Sequence, residues 1–174
     1  MRETLRYGLI LAFICTIAGG LLAGVNTLTH PRIVAQALAE EQNALKEVMP
    51  QAAEFSEVRE GENLLYYKAL DSQGKVIGFV FKASAKGYSS VIETLAGIFP
   101  DEKISAIKVI SLNETPGLGM RVAESSFTDQ FRGRDALSLS GVQAISGATI
   151  SSRAVMDSVI KKARQLKDLM NNEK

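Results

Sequence analysis

The chain has one cysteine, Cys15, one histidine, His30, and no tryptophan among its 174 residues. Iron–sulfur clusters need several thiolates, and structural zinc sites usually take four Cys or His ligands, so neither centre can be built from this chain alone. A lone cysteine also excludes an internal disulfide. No reactive Cys or His is available as a catalytic base or nucleophile, so no catalytic residue is expected. Neither sign of charge predominates: 20 basic residues stand against 19 acidic ones. Binding to nucleic acid needs a clustered basic face, and none is apparent. No glycine-rich dinucleotide fingerprint follows a strand-like run, so a pocket for NAD is not expected. An electron carrier here would have to be organic, or belong to a partner.

Apolar residues make up 46% of the chain, but they are unevenly spread. No charged side chain occurs from Tyr7 to Thr29, and the run is almost wholly apolar. At about 1.5 Å rise per residue, roughly 20 residues cross a hydrocarbon core of about 30 Å. A transmembrane helix is the leading reading. A cleaved signal peptide has a shorter apolar core, and Ala23-Gly24-Val25 fits its cleavage site poorly. Arg2 and Arg6 precede the span and Arg32 follows it. The positive-inside rule then puts the N-terminus in the cytoplasm and the rest outside the cytoplasmic (inner) membrane.

Pro31 suits the first turn of a new helix. Apolar residues recur at helical spacing from Ile33 to Val48, and Pro50 ends the pattern. Residues 1–29 are read as N-terminal segment and span, 30–50 as a linker helix, and 51–174 as the soluble domain. In that domain, Leu64–Tyr67 and Val76–Phe81 flank the turn Asp71–Gly74 and predict a hairpin. Val91–Ile98 and Ile104–Leu112 read as further strands. In the latter, Lys108 interrupts the face of Ile104, Ala106, Ile110 and Leu112, so Ser105, Ile107, Val109 and Ser111 form the alternative core face. A helical stretch is expected near Val122–Phe131, a short strand over Gly141–Ile145, and a long helix from Ile150 to about Leu169. The fold class is α+β: one N-terminal transmembrane helix, then a domain with an antiparallel sheet.

Three segments could carry chemistry. Ser146-Gly147-Ala148-Thr149-Ile150-Ser151-Ser152 sits at the expected entry to the last helix, with small residues in the turn and hydroxyls clustered at the helix start. Helix N-termini attract anions, and Gly147 and Ala148 leave room for a phosphate. Thr149 could hydrogen-bond a phosphate or be esterified by one; ordinary capping by Thr149 or Ser151 is the simpler alternative. Glu114-Thr115-Pro116-Gly117-Leu118-Gly119 follows a strong strand, and Leu118 between two glycines could cover a planar ring or belong to a plain turn. Lys86-Gly87-Tyr88-Ser89-Ser90 places an aromatic in a loop, where Tyr88 could equally be a packing residue.

Taken in order, the apolar span, KGYSSVIETLAGI, ETPGLG and SGATISSRAV resemble the FMN-binding domain family of Rnf complex G subunits. The C subunit of the sodium-pumping NADH:quinone reductase is a near relative of that family. The resemblance implies FMN joined by a phosphoester to Thr149 within the SGAT segment Ser146, Gly147, Ala148 and Thr149. It implies flavin contact at Glu114, Thr115, Leu118 and Gly119, with Tyr88 also among the cofactor-binding residues. It also implies maturation by a flavin transferase, partnership with other Rnf subunits, and a place in a bacterial ferredoxin:NAD+ oxidoreductase that moves Na+ or H+. The chain departs from the pattern at Gln143, where the family often has an acid, and at Ser89-Ser90, where Gly or Pro is common. Other readings are a C-type subunit of the sodium pump and a non-redox extracytoplasmic ligand-binding adaptor.

Overall fold

The computed structural model describes residues 2–61 and 63–172. Its first element is one unbroken helix, α1 (Arg2–Val48), with Pro31 inside it. Pro31 therefore does not start a new helix as the sequence suggested. The 18-residue window with mean hydropathy 2.3 has no buried residue, so α1 is long and apolar enough to cross a membrane. The chain divides into two compact units between Gln42 and Asn43, so the last turns of α1 belong to the globular unit.

That unit is built on a five-stranded antiparallel meander: β1 (Glu54–Glu60), β2 (Asn63–Leu70), β3 (Val76–Lys86), β4 (Val91–Ile98) and β5 (Ile104–Ser111), in that spatial order. β1 was not anticipated. Its sequence EFSEVRE carries three glutamates and only two apolar residues, both partly exposed, so its alternation is masked. Charge on an exposed edge strand also discourages pairing with other chains. A 3₁₀ turn (Gly119–Ala123), α2 (Ser125–Thr128) and a second 3₁₀ turn (Asp129–Phe131) follow β5. Where one helical stretch was expected, three short pieces occur. The last helix, α3, spans Thr149–Asn172.

The expected strand over Gly141–Ile145 is absent. Its backbone N–H groups find other partners: Val142 N–H donates to Leu139 O, Gln143 N–H to Gln130 Oε1, and Ile145 N–H to Ser152 Oγ. With those donors satisfied, no strand partner is needed.

Period-2 alternation divides the core between the two sheet faces. Phe79, Phe81, Ile92, Ala96 and Ile107 face one side, under Ala154, Val155, Val159, Ala163 and Leu166 of α3. Tyr67, Ala69, Val80 and Leu95 face the other, against Ala44, Leu45, Val48 and Met49 at the end of α1. The two candidate faces of β5 are therefore both used. Ile107 and Val109 point to the α3 side, while Ala106 and Ile110 point to the α1 side, where Lys108 pairs with Glu47.

Candidate functional site

In a meander, the β3–β4 turn lies at the same end of the sheet as the exit from β5. α3 packs across the sheet with its N-terminus at that end. The three sequence segments are thereby brought to one place. A cavity of about 520 Å³ there is lined by Tyr88, Glu114, Thr115, Leu118, Gly119, Gly147, Ala148, Thr149, Ile150 and Ser151. Its size is within the usual range for small-molecule sites. Of the residues assigned to the flavin from sequence, Ser146 alone does not line it; it is exposed in the preceding turn. A second cavity of about 390 Å³, beside β5, is lined by charged groups including Glu47, Lys108, Asp129 and Arg132, and holds none of the three motifs.

Two tight turns shape the first cavity. Leu118 N–H donates to Thr115 O at 3.2 Å, with Pro116 and Gly117 (φ 74°) between them. Ala148 N–H donates to Ile145 O at 2.9 Å, with Ser146 and Gly147 (φ 82°) between them. Both put glycine at the third position with positive φ, as a type II turn demands, and Pro116 presets the second position of the first. The turns meet: a Cβ built on Gly147 would lie 3.3 Å from Leu118 Cδ2. Tyr88, Leu118 and Ile150 are 69%, 47% and 56% exposed, leaving an apolar rim open to a planar ligand.

The mouth of α3 sorts its hydroxyls. Ser152 Oγ accepts from Ile145 N–H (3.1 Å) and donates to Ala148 O (2.9 Å), which fixes the entry turn. Ser151 Oγ donates to Glu114 Oε2 at 2.8 Å. Both serines are buried, whereas Thr149 is exposed on the cavity wall. The first intrahelical bond here is Ser152 N–H to Ala148 O, so the N–H groups of the preceding turn have no partner within the helix. This end suits an anion held beside a threonine hydroxyl.

Glu114 is 4% exposed, yet its carboxylate stays ionised. Burial pushes its pKa up, but hydrogen bonds from the Ser90, Ser89 and Tyr88 amides and from the Ser151 hydroxyl outweigh that and hold it below the ordinary value. Ile150 and Ser151 belong to the hydroxyl-rich segment that the sequence singles out, but they are not among the residues assigned to the flavin. Their place in the first turn after Thr149 was the available signal.

The residues fit the group that the resemblance names. An unpartnered helix N-terminus and an exposed hydroxyl suit a phosphate, and the exposed apolar rim suits a flavin ring. No group of Cys, His, Asp and Glu that could hold a metal ion occurs among the described residues.

The chain is similar to known proteins in sequence and fold. Residues 87–163 match the family model described as FMN-binding domain, and residues 1–48 match that described as RnfG N-terminal region. The chain is 37% identical to the G subunit of the ion-translocating oxidoreductase complex of Methanosarcina acetivorans, over 91% of this chain and 92% of the relative. It is 34% identical to the G subunit of the proton-translocating ferredoxin:NAD(+) oxidoreductase complex of Clostridium ljungdahlii, over 90% and 88%. It is 33% identical to the Na(+)-translocating counterpart of Acetobacterium woodii, over 88% and 87%. The crystal structure of Shewanella oneidensis NqrC shares the fold, with a TM-score of 0.52 and 21% identity over 70% of this chain and 74% of that one.

Proposed function

The chain belongs to the family of Rnf complex G subunits, and from that premise we propose that it carries electrons through FMN joined by a phosphoester to Thr149, as a membrane-anchored component of an ion-translocating ferredoxin:NAD+ oxidoreductase. The carrying observation is the exposed Thr149 at the mouth of α3, on the wall of a cavity with an apolar rim. Two relatives of nearly equal identity are named for different coupling ions, so similarity does not select Na+ or H+.

When bound, the flavin accepts and releases electrons singly or in pairs, and the protein positions it and tunes its potential. Attachment would form a bond from Thr149 Oγ1 to the phosphorus of an activated FMN, a flavin phosphoanhydride brought by a flavin transferase, as the anhydride P–O bond breaks, the outgoing phosphate group leaves and the hydroxyl proton passes to solvent. The α3 N-terminus would offer amides to the remaining phosphate oxygens. Leu118, Tyr88 and Ile150 would cover apolar ring surface, with Thr115, Gly119, Gly147 and Ala148 lining the floor. Thr149 takes no further part in turnover.

The excess of arginine before the span favours a domain on the extracytoplasmic side. Free FMN would be scarce there, and a non-covalent site would empty by mass action; an ester removes that equilibrium. Intact mass of the chain, produced beside a competent flavin transferase, tests the reading. One added FMN phosphoester is expected, located on the peptide containing Thr149. A bare, colourless polypeptide would overturn it and favour the non-redox adaptor. Protection of the domain from protease in intact spheroplasts would reverse the orientation.

A further inference from the structure

Glu114 lies on the cavity wall, where a flavin contact is the natural assumption, but its hydrogen bonds indicate another role. Oε1 accepts from Ser89 N–H (3.0 Å), Ser90 N–H (2.9 Å) and, more weakly, Ser90 Oγ (3.4 Å). Oε2 accepts from Tyr88 N–H (3.2 Å) and Ser151 Oγ (2.8 Å). An ionised carboxylate has about four acceptor sites and no proton to donate. These contacts use its whole capacity, leaving nothing for the polar edge of a flavin.

The chain also closes around this group. A Cβ built on Gly87 would sit 2.7 Å from Glu114 Oε1, and one built on Gly119 would sit 2.8 Å from Oε2 and 3.1 Å from Ser151 Oγ. Two of the three motif segments thus need glycine where they pass the carboxylate, and the third supplies Ser151. Ser90 Oγ additionally accepts from Asn113 N–H at 2.8 Å, tying the residue before Glu114 to the same loop.

We propose that Glu114 is a positioning residue: a buried anionic clasp that joins the Tyr88 loop, the β5 exit and the first turn of α3, and that acts on the flavin through shape and charge without touching it. The flavin part of this inference rests on the function proposed for Thr149; the clasp does not. A fixed negative charge beside the ring opposes the arrival of electrons and so lowers the flavin potential.

Glu114→Gln separates charge from shape. The amide oxygen can still accept from Ser89 and Ser90, and the amide nitrogen can donate to Ser151 Oγ. Only Tyr88 N–H is left facing a donor. Glu114→Ala removes every acceptor and leaves three loop amides unpaired.

Two measurements on the full chain in detergent decide the matter. In a Thr149→Ala background, which cannot be esterified, amide exchange at Tyr88, Ser89 and Ser90 should quicken at least tenfold with Glu114→Ala. With Glu114→Gln it should quicken most at Tyr88. Unchanged exchange in either variant would overturn the clasp, and Glu114→Gln carries this arm alone should the alanine variant not fold. In flavin-loaded protein, Glu114→Gln should raise the ratio of reduced to oxidised flavin at a fixed poise about tenfold, near 30 mV for a two-electron couple. Ser151→Ala, which keeps the charge, should leave that ratio within about twofold. An unmoved potential in Glu114→Gln would overturn the charge effect. Should the otherwise unaltered chain carry no FMN mass, the functional reading fails while the exchange measurement still decides the clasp.

Discussion

Two helices cover opposite faces of one sheet, yet only one of them helps build a site. The end of α1 packs closely on its face: Val48 and Met49 are fully buried, and a Cβ built on Gly97 would meet Val48 O at 2.6 Å. The middle of α3 packs in the same manner through Val155, Val159 and Leu166. Its first turn lies at the end of the sheet, beside the β3–β4 turn and the β5 exit, and there the helix N–H groups and the Thr149 hydroxyl stay available. A helix flank pressed on a sheet satisfies its own backbone and offers side chains only. A helix terminus at the sheet's end keeps unpaired donors, and chemistry can collect there.

This contrast is broken most severely if chemistry and packing prove inseparable. Thr149→Ala should abolish covalent flavin altogether, read as loss of flavin fluorescence from the denatured chain on a gel. Because Thr149 is exposed, stability should move by no more than about 0.5 kcal/mol in a thermal melt. Gly97→Ala should do the reverse. The added methyl presses on backbone, which cannot swing aside, and overpacking of this kind costs about 1–3 kcal/mol. Its folded fraction should still take up FMN. A Thr149→Ala chain that melts several degrees lower, or a folded Gly97→Ala chain without flavin, would show that the two faces share one structural unit.

The site was legible in the sequence as three short stretches because glycine, proline and hydroxyl residues mark tight turns locally. Pro116-Gly117 and Ser146-Gly147 each dictate their own backbone, whatever the rest of the chain does. Strands β2 to β5 were legible from apolar alternation between turn signals. What failed depended on distant partners. β1 is an edge strand paired with β2, and its glutamates hide the pattern. Gly141–Ile145 has strand-like composition but finds its hydrogen bonds in turns and at Gln130. Pro31 reads locally as a helix start, yet α1 continues through it. At Glu114 the resemblance points to the flavin, and nothing in its own segment reveals that amides 24 to 26 residues away converge on its carboxylate.

A smaller effect sharpens the contrast through pH. Glu114 has its pKa lowered by folding, so its stabilising contribution is complete above the ordinary glutamate value. That contribution fades as pH falls through the lower folded-state value, since protonation removes acceptors that the 88–90 amides need. Melting of the unaltered chain should therefore fall more steeply in that acid window than melting of Glu114→Gln. At neutral pH the variant should be less stable by about 1 kcal/mol, the usual worth of a hydrogen bond. Tyr88 is the other titratable residue on the cavity wall. Parallel acid profiles for the two chains would mean that the carboxylate's charge is not what holds the loop.

The smallest expected effect concerns the closed face. Lys108 stands on the α1 side of β5 and pairs with Glu47 at 2.7 Å, with side chains 35% and 62% exposed. Exposed pairs contribute about 0–1 kcal/mol, because water screens the attraction and two long side chains must be held still. The lysine stem also covers apolar surface near Ala106 and Ile110, a contribution independent of charge. Lys108→Met should then be close to neutral, while Lys108→Ala should lose slightly more stability than Glu47→Gln. Denaturant midpoints with and without salt would separate the two contributions. A salt-sensitive loss above about 2 kcal/mol in Lys108→Met would mean that the end of α1 is held to the sheet by charge, and that the two faces differ in how they are bound as well as in what they leave open.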